Sequence, residues 1–123
     1  GNHARHARAG LGTLLAELGW HSCPSEGWSD GQVRGLHDPE DFAPDPHTRL
    51  TLFGHLHPGV HLKGRSREGL RLPCFAAGPS AARPELGTHV LLPAYGSFTG
   101  HSPRLPENCP WVYAIAGNVL VKV

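Results

Sequence analysis

The sequence predicts an α/β fold that is strand-rich, has one clear helix and amounts to half of an α/β sandwich. Short apolar or β-branched segments alternate with turns, as strands do, and the 123 residues include 16 glycines and 12 prolines. One segment alone has leucines at helical spacing. The length suits one domain or part of one.

The helix is predicted over residues 9–18, and Gly19 follows it in the position of a C-terminal cap. Its leucines are spaced i, i+3, i+4 and i+7, as in an amphipathic helix: Leu11, Leu14, Leu15 and Leu18. We expect these leucines to pack into the core. A short strand is predicted next, over residues 20–23.

Two β-hairpins are predicted from turn signals. Residues 27–29 and 32–36 flank Asp30-Gly31, and residues 111–116 and 119–123 flank Gly117-Asn118. The other predicted strands are 49–53, 60–63, 70–77 and 88–92. The Pro-rich loops are 38–48, 78–87 and 101–110, and residues 64–69 form a charged turn.

Composition excludes several classes of protein. A formal net charge of +1 gives no electrostatic case for nucleic-acid binding. The cysteines are three and widely spaced, which disfavours a disulfide framework or a zinc ribbon and favours a reducing compartment. No apolar segment reaches the ~18 residues of a membrane span. We therefore expect a cytoplasmic protein without a membrane partner. Because the chain contains no methionine, we expect a processed or truncated piece.

The segment that bears most on function is Gly54-His55-Leu56-His57. It follows the predicted strand 49–53, and Pro58 stops that strand from continuing. Ligands bind at the carboxyl ends of strands in α/β sheets, and imidazole is the commonest metal ligand. The two rings could bind one ion together, bind one each of two ions, or be solvated loop residues, since the pattern is short.

Two other positions have the same chemistry. Asn2-His3 precedes the helix, and His37 ends a predicted strand. Amide oxygen and imidazole nitrogen suit zinc, manganese, iron or nickel. Two cations would also need carboxylates, but the nearby aspartates are assigned to turns and loops: Asp30, Asp38, Asp41 and Asp45. We therefore expect the acidic half of such a site upstream of Gly1.

These residues resemble a known family. Gly1-Asn2-His3, His37 and Gly54-His55-Leu56-His57 are similar, in this order, to the last three signature blocks of the calcineurin-like metallophosphoesterases. Further segments resemble the bacterial PdeM branch, described as ligase-associated DNA damage response endonucleases: Leu36-His37-Asp38-Pro39, Leu72-Pro73-Cys74-Phe75, Leu92-Pro93-Ala94-Tyr95-Gly96-Ser97-Phe98-Thr99-Gly100 and Tyr113-Ala114-Ile115.

The resemblance implies a role for each matching residue. Asn2, His37 and His55 would bind the second of two divalent metal ions, and His57 the first; manganese, zinc or iron would serve. His3 would be catalytic, lying near the scissile phosphate and helping to neutralise its charge or to protonate the leaving oxygen. The two ions would activate a bridging hydroxide that hydrolyses a phosphodiester, with DNA as one candidate substrate. Functional association with a DNA ligase, a helicase and an exonuclease is also implied.

The sequence departs from the family in three places. Ala4 stands where the family has Asp or Glu, and His101 follows Gly100 where a second Gly is common. The Asp-x-His and Gly-Asp blocks are absent. Residues 1–123 are thus expected to be the C-terminal part of one metallophosphoesterase domain, impaired on their own. The alternatives are a catalytically silent metal-binding or interaction module, or a truncated remnant.

The remaining candidates have simpler interpretations. Lys63, Arg65, Arg67 and Arg71 form a basic cluster that is either a solvated turn or a contact to a phosphate backbone of the substrate. Cys74 is predicted to be a small core residue. Surface or turn positions are predicted for the histidines outside the motifs: His6, His21, His47, His61, His89 and His101.

Overall fold

The structure is a computed structural model that describes residues 8–19, 27–96, 100 and 109–123. The predicted fold class is confirmed, because one helix accompanies an eight-stranded mixed sheet. The elements are α1 (Arg8–Glu17), β1 (Trp28–Ser29), β2 (Val33–Leu36), β3 (Leu50–Phe53), β4 (Gly59–Lys63), β5 (Gly69–Ala77), β6 (His89–Leu91), β7 (Trp111–Ala116) and β8 (Val119–Lys122), with 3₁₀ turns at Pro39–Asp41 and Pro84–Leu86. The strand predicted at 20–23 and most of the loop at 101–110 lie outside the described residues.

The sheet combines parallel strands with antiparallel ones. Its order is β1-β2-β3-β6-β5-β7-β8, and β4 pairs with β5 beside this path. Strands β2, β3 and β6 are parallel, with Leu36 beside Phe53 and Phe53 beside Leu91. Their last residues are therefore level, and the loops that follow leave from one edge, here named the carboxyl edge.

Both predicted hairpins are present. The β7–β8 turn contains Gly117 and Asn118, as predicted. In the β1–β2 hairpin the turn is shifted by one residue, since the backbone N–H of Asp30 donates to the carbonyl of Val33 (3.1 Å). The Asp30 carboxylate also accepts from the N–H groups of Gln32 and Val33. Asp30 thus closes the turn with its side chain, a common use of Asp in turns.

All strongly buried residues of the main strands point to one face of the sheet. Residues that are directly paired on neighbouring strands share a face of the sheet. The strand register therefore places the following buried residues on the same face: Leu36, Thr51, Phe53, Cys74, Ala76, His89, Leu91 and Ala114. Phe53 is at the centre, fully buried, with edge-to-face contacts to Phe42 and His89. The prediction that Cys74 is a core residue is confirmed.

The opposite face of the same sheet is apolar but only partly covered. Half-buried residues of five strands point there: Val33, Leu50, Leu52, Phe75, Ala77, Val90 and Ile115. Trp111, on the same face, is 43% exposed. A row of apolar side chains across a sheet normally packs against another layer. This open face is therefore the side on which a second layer would fit.

Two predictions about packing are wrong. Leu14 and Leu18 of the helical segment are 51% and 63% exposed, and neither buried cluster of described residues includes them. His89 was predicted at the surface but is 2% exposed. Its ring lies against Gly78, where no side chain occupies the space, and its Nδ1 is 2.8 Å from the carbonyl of Gly87.

The described part of the chain contains no helix that is long and apolar enough to span a membrane.

Strands β4 and β5 form an arm that leaves the main sheet. Within β5, the residues from Cys74 to Ala77 pair with β6 and β7, whereas those from Gly69 to Pro73 pair with β4. Because β5 is antiparallel to β6, its first half extends beyond the carboxyl edge. We name residues 59–73 the arm.

Candidate functional site

The site is built by the loops that follow β2 and β3 at the carboxyl edge. His37 comes directly after β2, and His55 comes two residues after β3. Between them, the N–H of Gly54 lies 3.3 Å from the carbonyl of Leu36 and 3.2 Å from that of His37. The prediction that the histidines follow the carboxyl ends of strands is confirmed, and the parallel pairing brings two of them together.

The rings of His37 and His55 are in direct contact. His55 Nδ1 is 3.0 Å from His37 Nε2, and the ring planes meet at 68° with centroids 4.8 Å apart. Two nitrogens bound to one ion at about 2.0–2.1 Å lie roughly 3 Å from each other. The spacing fits two ligands of one metal ion, and it also fits a hydrogen bond between the rings. The His55 side chain is 50% exposed, so solvent and ligands can reach the pair.

Asp38 lies on the far side of His55 from His37. Its Oδ2 is 3.5 Å from His55 Nε2, and its Oδ1 accepts a hydrogen bond from the N–H of Glu40 (3.0 Å). A carboxylate behind a histidine ligand commonly fixes the ring and its tautomer. The sequence predicted only a turn position for Asp38 and not this contact; its place directly after His37 was the available signal.

Of the other predicted site residues, those that the structure describes are not joined to this pair. His57 is half-buried and has φ 43°, a left-handed conformation that is uncommon outside glycine and is found at functional sites. Within the described ranges, no three His, Cys, Asp or Glu side chains are placed to hold a metal ion. Asn2 and His3 lie outside the described residues. Arg65, Arg67 and Arg71 are exposed on the arm. The described donors therefore fit the two-nitrogen portion of a metal site.

Cys74 does not add a ligand. It is fully buried, and burial raises the pKa of its thiol to about 11. The thiol stays protonated at neutral pH, whereas metal binding needs the thiolate.

A charged contact supports the loop that contains Asp38. Arg83 Nη1 lies 3.2 Å from Glu40 Oε1, and Arg83 Nε donates to Glu85. The hydrogen bond that Arg83 donates to Glu85 raises the pKa of the Arg83 guanidinium and lowers that of the Glu85 carboxyl. These groups are exposed, so their stabilising effect is small. They connect the 3₁₀ turn after Asp38 with the turn at Pro84–Leu86.

Two concavities lie at opposite edges of the sheet. One, of about 670 Å³, is bounded by the β1–β2 turn and by Asp45 and His47, at the edge away from the histidine pair. The other, of about 280 Å³, is bounded by Pro39, Leu56 and the core residue Leu91. Pro39 follows Asp38 in the chain, and Leu56 follows His55. The smaller recess is therefore the one that adjoins the site.

The fold is similar to that of a nuclease of known structure. No family profile and no curated protein matches the chain. A solved structure does: the nuclease MPE from Pseudomonas putida has a TM-score of 0.63 and 28% sequence identity to this chain. The chain is similar to a nuclease. The match covers 100% of this chain and 51% of that nuclease, so the chain spans about half the length of its neighbour.

Proposed function

We propose that this chain is the C-terminal part of a calcineurin-like, PdeM-type metallophosphoesterase domain that hydrolyses phosphodiesters, with DNA as one candidate substrate. The observation that carries the proposal is the 3.0 Å approach of His55 Nδ1 to His37 Nε2. This approach occurs at the carboxyl edge of a sheet similar to that of a nuclease.

The ligand set we propose extends this pair. His37 and His55 would hold one divalent cation together with Asn2, and His57 would contribute to a second. Manganese, zinc or iron suits these nitrogen and oxygen donors. When bound, such ions supply positive charge that stabilises the phosphoryl oxygens and lowers the pKa of water.

The protein side chains have separate tasks in this proposal. Asp38 would keep the proton of His55 on Nε2, which would leave the lone pair of Nδ1 free to bind a cation. His3 would contact the phosphate and donate a proton to the leaving oxygen. The recess of about 280 Å³ beside Pro39 and Leu56 offers room for a group esterified to that phosphate.

The remaining half of the domain would cover the open face of the sheet. That face presents half-buried apolar side chains from five strands, and the chain spans about half of the similar nuclease. We propose that a second layer packs there, forms the sandwich and supplies the carboxylates that a two-cation site needs.

The cellular setting that we propose comes from the resemblance to the PdeM branch alone. It is the bacterial cytoplasm, in a DNA damage response. Functional partners would be a DNA ligase, a helicase and an exonuclease.

The proposal predicts chelator-sensitive hydrolysis by the full-length protein that contains these residues. Bis-p-nitrophenyl phosphate should be hydrolysed with manganese, EDTA should stop the reaction, and added manganese, zinc or iron should restore it. Hydrolysis that is indifferent to EDTA would contradict a metal-dependent mechanism. Tight metal binding without turnover on this diester or on DNA would instead identify the catalytically silent metal-binding module.

A further inference from the structure

We infer that the arm, residues 59–73, is a phosphate-binding surface along which a polynucleotide runs away from the histidine pair. This inference rests on the proposed phosphodiesterase function and deepens it, because it selects a polymer over a small diester as the substrate. The first observation is position. The arm begins directly after His57 and Pro58, and the N–H of Cys74 bonds the carbonyl of Pro58 (3.0 Å), which fixes its base beside the site.

The direction of the arm is the second observation. Ala76 pairs with Leu91, the last residue of β6, and β5 runs antiparallel to β6. The pairs between β4 and β5 therefore lie progressively further beyond the carboxyl edge, from Gly59 with Pro73 to Lys63 with Gly69. A substrate bound at the histidine pair would meet the arm as it leaves the site.

Charge is the third observation. The arm, with the turn of residues 64–68 at its tip, contains one carboxylate, Glu68. It contains four cationic side chains: Lys63, Arg65, Arg67 and Arg71. All four are exposed, and none forms an ion pair with another described residue. The local excess of positive charge is larger than the +1 of the whole chain, so the net charge conceals it.

The two faces of the arm differ in chemistry. Arg71 pairs with His61 and Lys63 pairs with Gly69, so the side chains of Lys63 and Arg71 share one face. Arg65 and Arg67 belong to the turn that joins the two strands. The His61 ring lies over Gly69, where a Cβ would come within 2.1 Å of its Nε2. Leu62 and Leu70 pair on the other face. The polar face is therefore continuous from His61 to the tip, as contact with a phosphate backbone requires.

The length of the arm sets the expected footprint. The five residues of β4 rise roughly 3.3 Å each and so span about 16 Å. One strand of duplex DNA advances ~3.4 Å per nucleotide, so the arm spans about five nucleotides. Substrates much shorter than this should not benefit from it.

The test replaces Arg65, Arg67 and Arg71 together by alanine in the full-length protein. The matched control is Arg49→Ala, an exposed arginine next to the start of β3, at the edge opposite the arm. Three readouts are compared: hydrolysis of bis-p-nitrophenyl phosphate, cleavage of a dinucleotide and of single-stranded DNA of ~30 nucleotides, and equilibrium binding of the longer strand in EDTA as salt is varied.

We expect the triple variant to bind the longer strand about tenfold or more weakly. The slope of log K against log salt should fall by about two, since three phosphate contacts at ~0.7 each are lost. Cleavage of the longer strand should fall, whereas hydrolysis of the small diester and cleavage of the dinucleotide should not change. An RNA strand of the same sequence, tested alongside, shows which polymer the arm prefers.

Unchanged binding and an unchanged salt slope in the triple variant would overturn the inference, as would failure of the unaltered protein to bind the longer strand. A loss of binding in Arg49→Ala that equals the loss in the triple variant would overturn it as well. The two proposals fail separately. Absence of hydrolysis with normal, arm-dependent DNA binding removes the proposed function alone, whereas normal hydrolysis with arm-independent DNA binding removes the arm alone.

Discussion

Replacing His55 by alanine in the full-length protein is expected to lower metal-dependent hydrolysis of a phosphodiester more than about 100-fold. The substitution removes Nδ1, the atom 3.0 Å from His37 Nε2, and with it one ligand of the proposed cation. Charge stabilisation by a bound cation is worth several kcal/mol in the transition state, and each ~1.36 kcal/mol is tenfold in rate. The fold should persist, because the side chain is 50% exposed and its loss leaves no internal cavity.

His47→Ala is the matched control for this experiment. His47 is an exposed histidine of the loop between β2 and β3, beside the concavity at the opposite edge, and its replacement should leave the rate unchanged. Both variants are compared by initial rates and by thermal unfolding. An undiminished rate in His55→Ala, or an equal loss in His47→Ala, would remove His55 from the catalytic site.

Asp38→Asn is expected to lower the same rate by about 10- to 100-fold, the usual cost of losing a partner that orients a metal ligand. Asparagine can still accept the hydrogen bond from the N–H of Glu40, so the turn should survive. What is lost is the negative charge that faces His55 Nε2 at 3.5 Å. The metal concentration for half-maximal activity should therefore rise, and excess metal should restore part of the rate.

Asp45→Asn provides the control for that substitution. The Asp45 carboxylate accepts from the N–H of His47 (2.9 Å) in a turn of the same kind, at the opposite edge of the sheet, and its replacement should alter neither rate nor metal dependence. If Asp38→Asn loses activity without any change in metal dependence, Asp38 does not act by orienting a metal ligand.

Local signals in the sequence predicted much of the fold. The strands and hairpin turns depend on residues close in the chain, such as Gly117 and Asn118. Within the described ranges the structure confirms the strands and the turn at Gly117-Asn118. The sequence also indicated that His37 and His55 each follow a strand. Their approach to 3.0 Å needs the parallel pairing of β2 with β3, which no local pattern specifies.

The errors share the same origin. Leu14 and Leu18 have helical spacing, but spacing does not say which surface covers a helix, and the described sheet leaves them exposed. His89 has no motif, yet the backbone of Gly78 leaves space for its ring in the core. Asp38 contacts His55 only because two loops meet at one edge. In each case the outcome depends on whether segments that are not neighbours in the sequence come into contact.

The position of a bound metal ion tests the central claim most directly. Crystals of the full-length protein grown with manganese, measured with anomalous scattering, should show an ion within about 2.0–2.3 Å of both His37 Nε2 and His55 Nδ1. Asp38 should remain behind His55 Nε2. A structure in which manganese binds elsewhere, while the two ring nitrogens stay hydrogen-bonded to each other, would contradict the account.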